Sequence, residues 1–203
     1  EFLMRFLAWL LIHTIHRVHT EDVERIPHEG PAVLVCNHVS YVDALVIGAA
    51  SPRPIRFVMD HRIFETPFVG WIFRAAKAIP IAPAKEDPFM MERAFIDIAE
   101  ALHEGDLVCI FPEGKLTSTG EMSEFRGGIS KIVERSKVPV IPMALRGLWG
   151  SVFTRDSGNL FERSFARGWR SKLALAVGVP VAPQEATPEY LYELVRVLRG
   201  EWK

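Results

Sequence analysis

A chain of 203 residues with 49% hydrophobic composition fits one domain of ordinary size with a well-buried core. Its 24 Lys and Arg nearly balance 25 Asp and Glu, so whole-chain charge offers no polybasic surface to nucleic acid and no acidic tail. The two cysteines, Cys36 and Cys109, lie in apolar runs, which suits buried strands in a reducing setting better than a disulfide framework.

In chain order, the apolar stretch 2–12 is broken by Arg5 and gives way to His13, His16, Arg17 and His19. It falls short of the roughly 20 apolar residues that span a bilayer, and it lacks the basic leader and small-residue cleavage site of a secretory signal. Residues 1–20 are therefore predicted as an amphipathic helix. With Trp9 and several Phe and Leu it can lie at a lipid interface, or it can pack on the core; both readings stand. The three histidines recur at i, i+3, i+6, but no Cys or carboxylate completes a metal set beside them, and a wet helix face accounts for them. The first residue, Glu1, points to a piece of a longer chain or to a removed tag.

After the turn chemistry of residues 26–31, residues 32–36 read as a short, wholly apolar strand. Ser40 is a candidate N-cap for a helix in which Val42, Leu45, Val46 and Ala49 recur at helical spacing up to Ser51-Pro52. A strand at 55–59, a short helix at 68–76 and an extended piece at 79–81 follow. An amphipathic helix is predicted over 88–103, with Phe89, Ala94, Phe95, Ile98, Ala99 and Leu102 on one side. Then come a strand at 107–111, a helix at 128–136, strands at 138–145 and 173–179, and a terminal helix at 188–199. The stretch 147–172 is the least regular, a candidate flap or second membrane-contacting element. Near-continuous apolar strands alternating with helices predict an α/β fold: one domain over 21–203 with a mostly parallel or mixed sheet flanked by helices.

Two strand ends carry polar groups. His38 follows the strand 32–36, and Asp43 lies five residues on, at the start of the next helix. A carboxylate that reaches one ring nitrogen fixes the tautomer and leaves the other nitrogen for general-base work. Spacing alone equally allows a turn cap and a helix cap. Phe111-Pro112-Glu113-Gly114 repeats the construction at the end of the strand 107–111, with Pro112 stiffening the exit and Gly114 permitting a tight turn. Lys115 and Arg126-Gly127-Gly128 add a basic, glycine-containing region suited to an anionic headgroup, or simply solvated loop charges. His61 and Arg62 follow another strand and can line a cleft or a surface loop.

Residues 37–43, Asn-His-Val-Ser-Tyr-Val-Asp, resemble the His-x4-Asp motif of the glycerolipid acyltransferases related to 1-acylglycerol-3-phosphate acyltransferase. Phe111-Pro112-Glu113-Gly114 resembles that family's second hallmark, and Val138-Pro139-Val140-Ile141-Pro142 its Val-Pro-x-x-Pro block; the similarity spans about residues 25–150. The resemblance implies an α/β fold of that family and an O-acyltransferase in phospholipid synthesis or remodelling. In it an acceptor hydroxyl attacks an acyl-CoA or acyl-carrier-protein thioester directly, without acyl-enzyme, metal or resident cofactor. His38 would be the base and Asp43 its orienter, with Glu113, Gly114, Lys115, Thr117 and Arg126 on the substrate side. The acceptor would be a lysophospholipid of lysophosphatidic acid or lysophosphatidylethanolamine type.

Two departures bear on the acceptor. The family commonly carries Thr-Arg-Ser after Phe-Pro-Glu-Gly, and this chain has Lys115-Leu116-Thr117, so a guanidinium fork is lost. A second family arginine is expected near residues 82–84, which here are Ala-Pro-Ala. Both changes suit a phosphodiester acceptor, and the chain also resembles acyltransferase domains fused to a membrane transporter. The expected setting is the cytoplasmic face of a membrane, peripheral, monotopic or tethered by such a fusion, with no nucleic-acid partner. Competing expectations are a catalytically silent lipid-binding module of the same fold and a metal-dependent hydrolase using His38, Asp43 and Glu113 as ligands.

Overall fold

The structure is a computed structural model that describes residues 17–40, 42–67, 69–148 and 172–201. Seven strands form one sheet: β1 (Arg17–Glu21), β2 (Ala32–Cys36), β3 (Ile55–Asp60), β4 (Ile79–Ile81), β5 (Leu107–Ile110), β6 (Val140–Arg146) and β7 (Lys172–Val177). Six α-helices are described: α1 (Asp43–Ala50), α2 (His61–Glu65), α3 (Val69–Ala75), α4 (Pro88–His103), α5 (Gly128–Ser136) and α6 (Pro188–Arg199).

The strand order is β1-β7-β6-β2-β5-β3-β4. Strands β4, β3, β5, β2 and β6 run parallel, β7 pairs antiparallel with β6, and β1 runs parallel to β7. The mixed α/β sheet flanked by helices is the architecture the apolar runs predict. Strand β2 is central and buried on both faces, which is why all five of its residues are apolar. Val33 and Val35 pack into one core with α4, α5 and α6, while Ala32, Leu34 and Cys36 pack into the other with α1.

From β2 the chain passes to β3 and β4 on one side, returns to β5 beside β2, and then crosses to β6 on β2's other flank. The carboxyl ends of β2 and β5 therefore flank the point where strand order reverses, the crevice in which open α/β sheets place their ligands. His38 leaves one of these ends and Glu113 the other.

The helix boundaries Pro88–His103 and Pro188–Arg199 match their sequence signals, because Asp87 accepts from the Met90 N–H at 2.8 Å, Thr187 accepts from Tyr190 at 3.2 Å, and Pro stands at the first helical turn of each. Several expectations are corrected. Residues 17–20 belong to strand β1 rather than to an N-terminal helix; the remainder of that helix, with His13 and His16, lies outside the described residues, as does most of the stretch 147–172. Phe89 is 86% exposed, because at 3.6 residues per turn it lies on the face of α4 opposite Ile98, and Ala101 takes a place on the buried side instead. Helix α1 starts at Asp43 with Val42 at the cap position, and the buried Ser40 hydroxyl accepts from the Val42 N–H at 3.4 Å, so Ser40 shapes the turn rather than capping the helix.

Candidate active site

Asn37 is the last residue still tied to the sheet. Its side-chain amide donates to Leu145 O at 3.0 Å and accepts from Leu145 N at 2.8 Å, so a side chain supplies the next rung of the β2–β6 ladder. The main chain of His38 is thereby released from the ladder. Its N–H donates to Glu113 Oε1 at 2.7 Å and its carbonyl accepts from the Thr117 N–H at 3.1 Å.

The ring of His38 is fixed by two contacts. Nδ1 lies 2.8 Å from Asp43 Oδ2, and the imidazole stacks on Phe111 with centroids 4.2 Å apart and planes inclined by 19°. Asp43 is fully buried at the first position of α1. Its Oδ2 also accepts from the N–H groups of Val39 at 2.8 Å and Ser40 at 3.0 Å, while Oδ1 has no partner among the described residues. Two backbone donors and the helix N-terminus compensate a buried carboxylate that would otherwise be costly. With Nδ1–H donated to Asp43, Nε2 carries the free lone pair, and the side chain keeps 23% of its surface exposed.

Glu113 is almost fully buried. One oxygen accepts from His38 N, the other from Ser123 N at 2.7 Å. Burial pushes its carboxyl above the usual range, and those two N–H bonds work against the rise. Glu113 thus braces the base and the loop rather than presenting its carboxylate to solvent. Thr117 is also buried: its hydroxyl donates to Glu121 O at 2.7 Å and accepts from Gly120 N at 3.0 Å and Thr119 N at 3.3 Å, organising a turn. Gly114 has φ +65°, and its turn closes with its N–H on Phe111 O at 3.0 Å.

Lys115 and Arg126 are the exposed cations of this region, with no ion pair among the described residues. The Arg126 guanidinium lies against Gly114, where an added Cβ would stand 2.8 Å from its Cζ. His38, Asp43, Glu113, Gly114, Thr117 and Arg126 are therefore joined through direct contacts, and Lys115 follows Gly114 in the same loop. His61 and Arg62 stand apart, drawn to Asp60 and Glu86 after β3. The metal-ligand reading finds no support in side-chain placement: both Glu113 oxygens face backbone N–H groups, and among the described residues no three His, Cys, Asp or Glu are grouped to hold an ion. Sequence reasoning missed the Phe111 stack, the Asn37 rung and the Ser123 N–H; only the aromatic at the strand end was a visible hint.

Residues 17–146 match the family model described as Acyltransferase. The chain is 26% identical over 161 residues to the chloroplastic 1-acyl-sn-glycerol-3-phosphate acyltransferase LPAT1 of Arabidopsis thaliana, covering 79% of this chain and 44% of that protein. It is 26% identical over 131 residues to the 1-acyl-sn-glycerol-3-phosphate acyltransferase of Bacillus subtilis (64% and 63%) and 30% identical over 115 residues to the lyso-ornithine lipid O-acyltransferase of Pseudomonas aeruginosa (57% and 43%). The chain spans about half the length of the curated relatives it matches. The crystal structure of the 1-acyl-sn-glycerophosphate acyltransferase PlsC from Thermotoga maritima shares its fold, with a TM-score of 0.73 at 22% identity over 95% of this chain and 74% of that one.

Proposed function

The chain belongs to the acyltransferase family, and on that premise we propose that it moves a fatty acyl group from a thioester, carried on coenzyme A or acyl-carrier protein, to the free hydroxyl of a lysophospholipid. The observation that carries the reading is the His38 Nδ1–Asp43 bond of 2.8 Å at the carboxyl end of the central strand. Nε2 takes the proton of the acceptor hydroxyl as its oxygen attacks the thioester carbonyl. The C–O bond forms, the C–S bond breaks, and the imidazolium returns the proton to the departing thiolate. Asp43 holds the tautomer and offsets the charge on the ring, a contribution of about 10²–10⁴ in rate for a positioned base. These steps require no metal and no resident cofactor.

For the acceptor, Lys115 and Arg126 supply positive charge beside Gly114, and Arg126 offers the planar fork that Leu116 lacks. Ala82 is buried and cannot stand in for the second arginine. With Leu116 and Ala82 where the two family arginines are expected, the remaining charge of Lys115 and Arg126 suits a phosphodiester, so lysophosphatidylethanolamine is proposed over lysophosphatidic acid. The reaction takes place at the cytoplasmic face of a membrane, on a chain tethered by a fused transporter domain or bound peripherally. Exposed Trp71 on α3 (64%) and Phe89 on α4 (86%) support lipid contact, and among the described residues no helix is long and apolar enough to cross a membrane.

The test is acyl transfer from one labelled acyl-CoA to a panel of lysophosphatidic acid, lysophosphatidylethanolamine and lysophosphatidylglycerol, with wild type and His38→Ala. Transfer to the phosphodiester acceptors, falling by about 10² or more in the variant, is expected. Full activity in His38→Ala removes His38 from the role of base, whereas no transfer by wild type with any acceptor and either donor defeats the enzyme reading and leaves a lipid-binding module.

A further inference from the structure

The terminal helix meets the loop of the site through Tyr192, edge-on to Phe125 at 5.5 Å, and through Arg199, which makes its hydrogen bonds there. Arg199, the last residue of α6, is 7% exposed, and its Nη1 donates to Gly120 O at 3.3 Å while Nη2 meets Glu121 Oε2 at 3.1 Å. Gly120 and Glu121 form the turn that the Thr117 hydroxyl organises, and the Thr117 N–H in turn holds the carbonyl of His38. The end of α6 is itself pinned: Arg146, at the end of β6, donates to Leu198 O and takes both oxygens of Glu21 at 2.9 Å. A buried guanidinium is expensive unless paired, and here its partners belong to the loop that carries Glu113, Lys115 and Thr117.

We propose that Arg199 is a positioning residue for acyl transfer, fixing the 117–121 turn from α6 and through Thr117 the His38 peptide. The inference rests on the assignment of His38 as base. Geometry limits how its loss is felt. Asp43 and Phe111 still hold the ring, so the base survives, but the Thr117 end of its main-chain clamp loosens. The acceptor approaches beside that loop, so the acceptor step suffers and the thioester is bound as before.

The contrast is provided by Arg53, which makes hydrogen bonds to the carbonyls of Pro27, Gly30 and Gly105 at the opposite end of the sheet. Arg199→Met, Arg199→Lys, Arg53→Met and Thr117→Val would be made in the full chain, with melting temperature, kcat and the KM for donor and acceptor measured separately. Arg199→Met is expected to lower kcat/KM for the acceptor about tenfold with an unchanged donor KM, Arg199→Lys to recover part of it, and Arg53→Met to lower melting temperature without that kinetic change. Arg199→Met and Thr117→Val combined should lose less than the product of their separate effects, because both act through one turn. A folded Arg199→Met with wild-type acceptor kinetics overturns the proposal, as does a loss matched by Arg53→Met at equal destabilisation. If Arg199→Met does not fold, Glu121→Gln takes its place: a smaller fall in acceptor kcat/KM supports the proposal and none overturns it. Activity retained in His38→Ala would instead defeat the underlying assignment.

Discussion

The main-chain N–H of His38 donates to the buried carboxylate of Glu113 at 2.7 Å across 75 residues of sequence, so two motifs that look separate along the chain share one hydrogen bond at their centre.

Glu113→Gln leaves one oxygen to accept from either His38 N or Ser123 N and turns an NH₂ toward the other. One buried donor loses its acceptor, at a cost of about 1–3 kcal/mol. Chemical denaturation should show this near neutral pH, with a fall in kcat because the base shifts. The difference should also depend on pH. Burial raises the folded-state pKa of Glu113, so its favourable proton linkage is fully present below about 4.3, the unfolded value, and is lost as pH rises through the raised folded value. Wild-type stability relative to Glu113→Gln should therefore decline from acid toward neutral pH; a rise over that window contradicts the assignment.

Asp43→Asn keeps an oxygen for the three donors now on Oδ2 and places its NH₂ where Oδ1 stands unpartnered. The fold should persist by circular dichroism. Without the carboxylate charge the imidazolium is no longer offset, and kcat should fall roughly 10²-fold or more. Unchanged turnover would remove Asp43 from the orienting role.

Phe111→Leu retains an apolar side chain and removes the aromatic face under the imidazole. Such ring pairs contribute about 0.5–1.5 kcal/mol, so a fall in kcat of about 2- to 10-fold is expected, with donor KM unaltered. Steady-state kinetics at saturating donor would show it.

Gly114→Ala imposes a side chain at φ +65° and drives its Cβ into the Arg126 guanidinium. Backbone strain of about 1–2 kcal/mol should lower the melting temperature. Displacement of Arg126 should raise acceptor KM more than donor KM, and Arg126→Met should reproduce the KM effect without the strain. Equal acceptor KM in both variants and wild type would exclude Arg126 from headgroup recognition.

Much of this was legible in the residues. Continuous apolar runs gave away β2, β5 and β6 because parallel strands covered on both faces admit little else, and the strand–turn–helix order placed His38 and Asp43 correctly. Strand β1 was not legible. Its residues Arg-Val-His-Thr-Glu carry no alternation that separates a polar edge strand from the end of a helix, and its pairing with β7 is a tertiary fact. The burial of Glu113 was equally hidden, since a carboxylate between Pro and Gly reads as exposed until donors distant in sequence are seen to meet it. Phe89 is apolar and still faces solvent, because at 3.6 residues per turn it falls opposite Ile98, and apolarity alone does not put a side chain on the buried stripe.

Because the Asn37 amide completes the sheet in place of main chain, the peptide that carries the base answers to the loop 111–123 and not to its own strand. For engineering, this makes the two segments one exchangeable part. Residues 37–43 moved alone into a host without a buried glutamate at the place of Glu113 would leave the histidine N–H without its acceptor, whereas a graft of both segments would carry its clamp with it. The acceptor preference proposed for the loop would be transferable on the same terms.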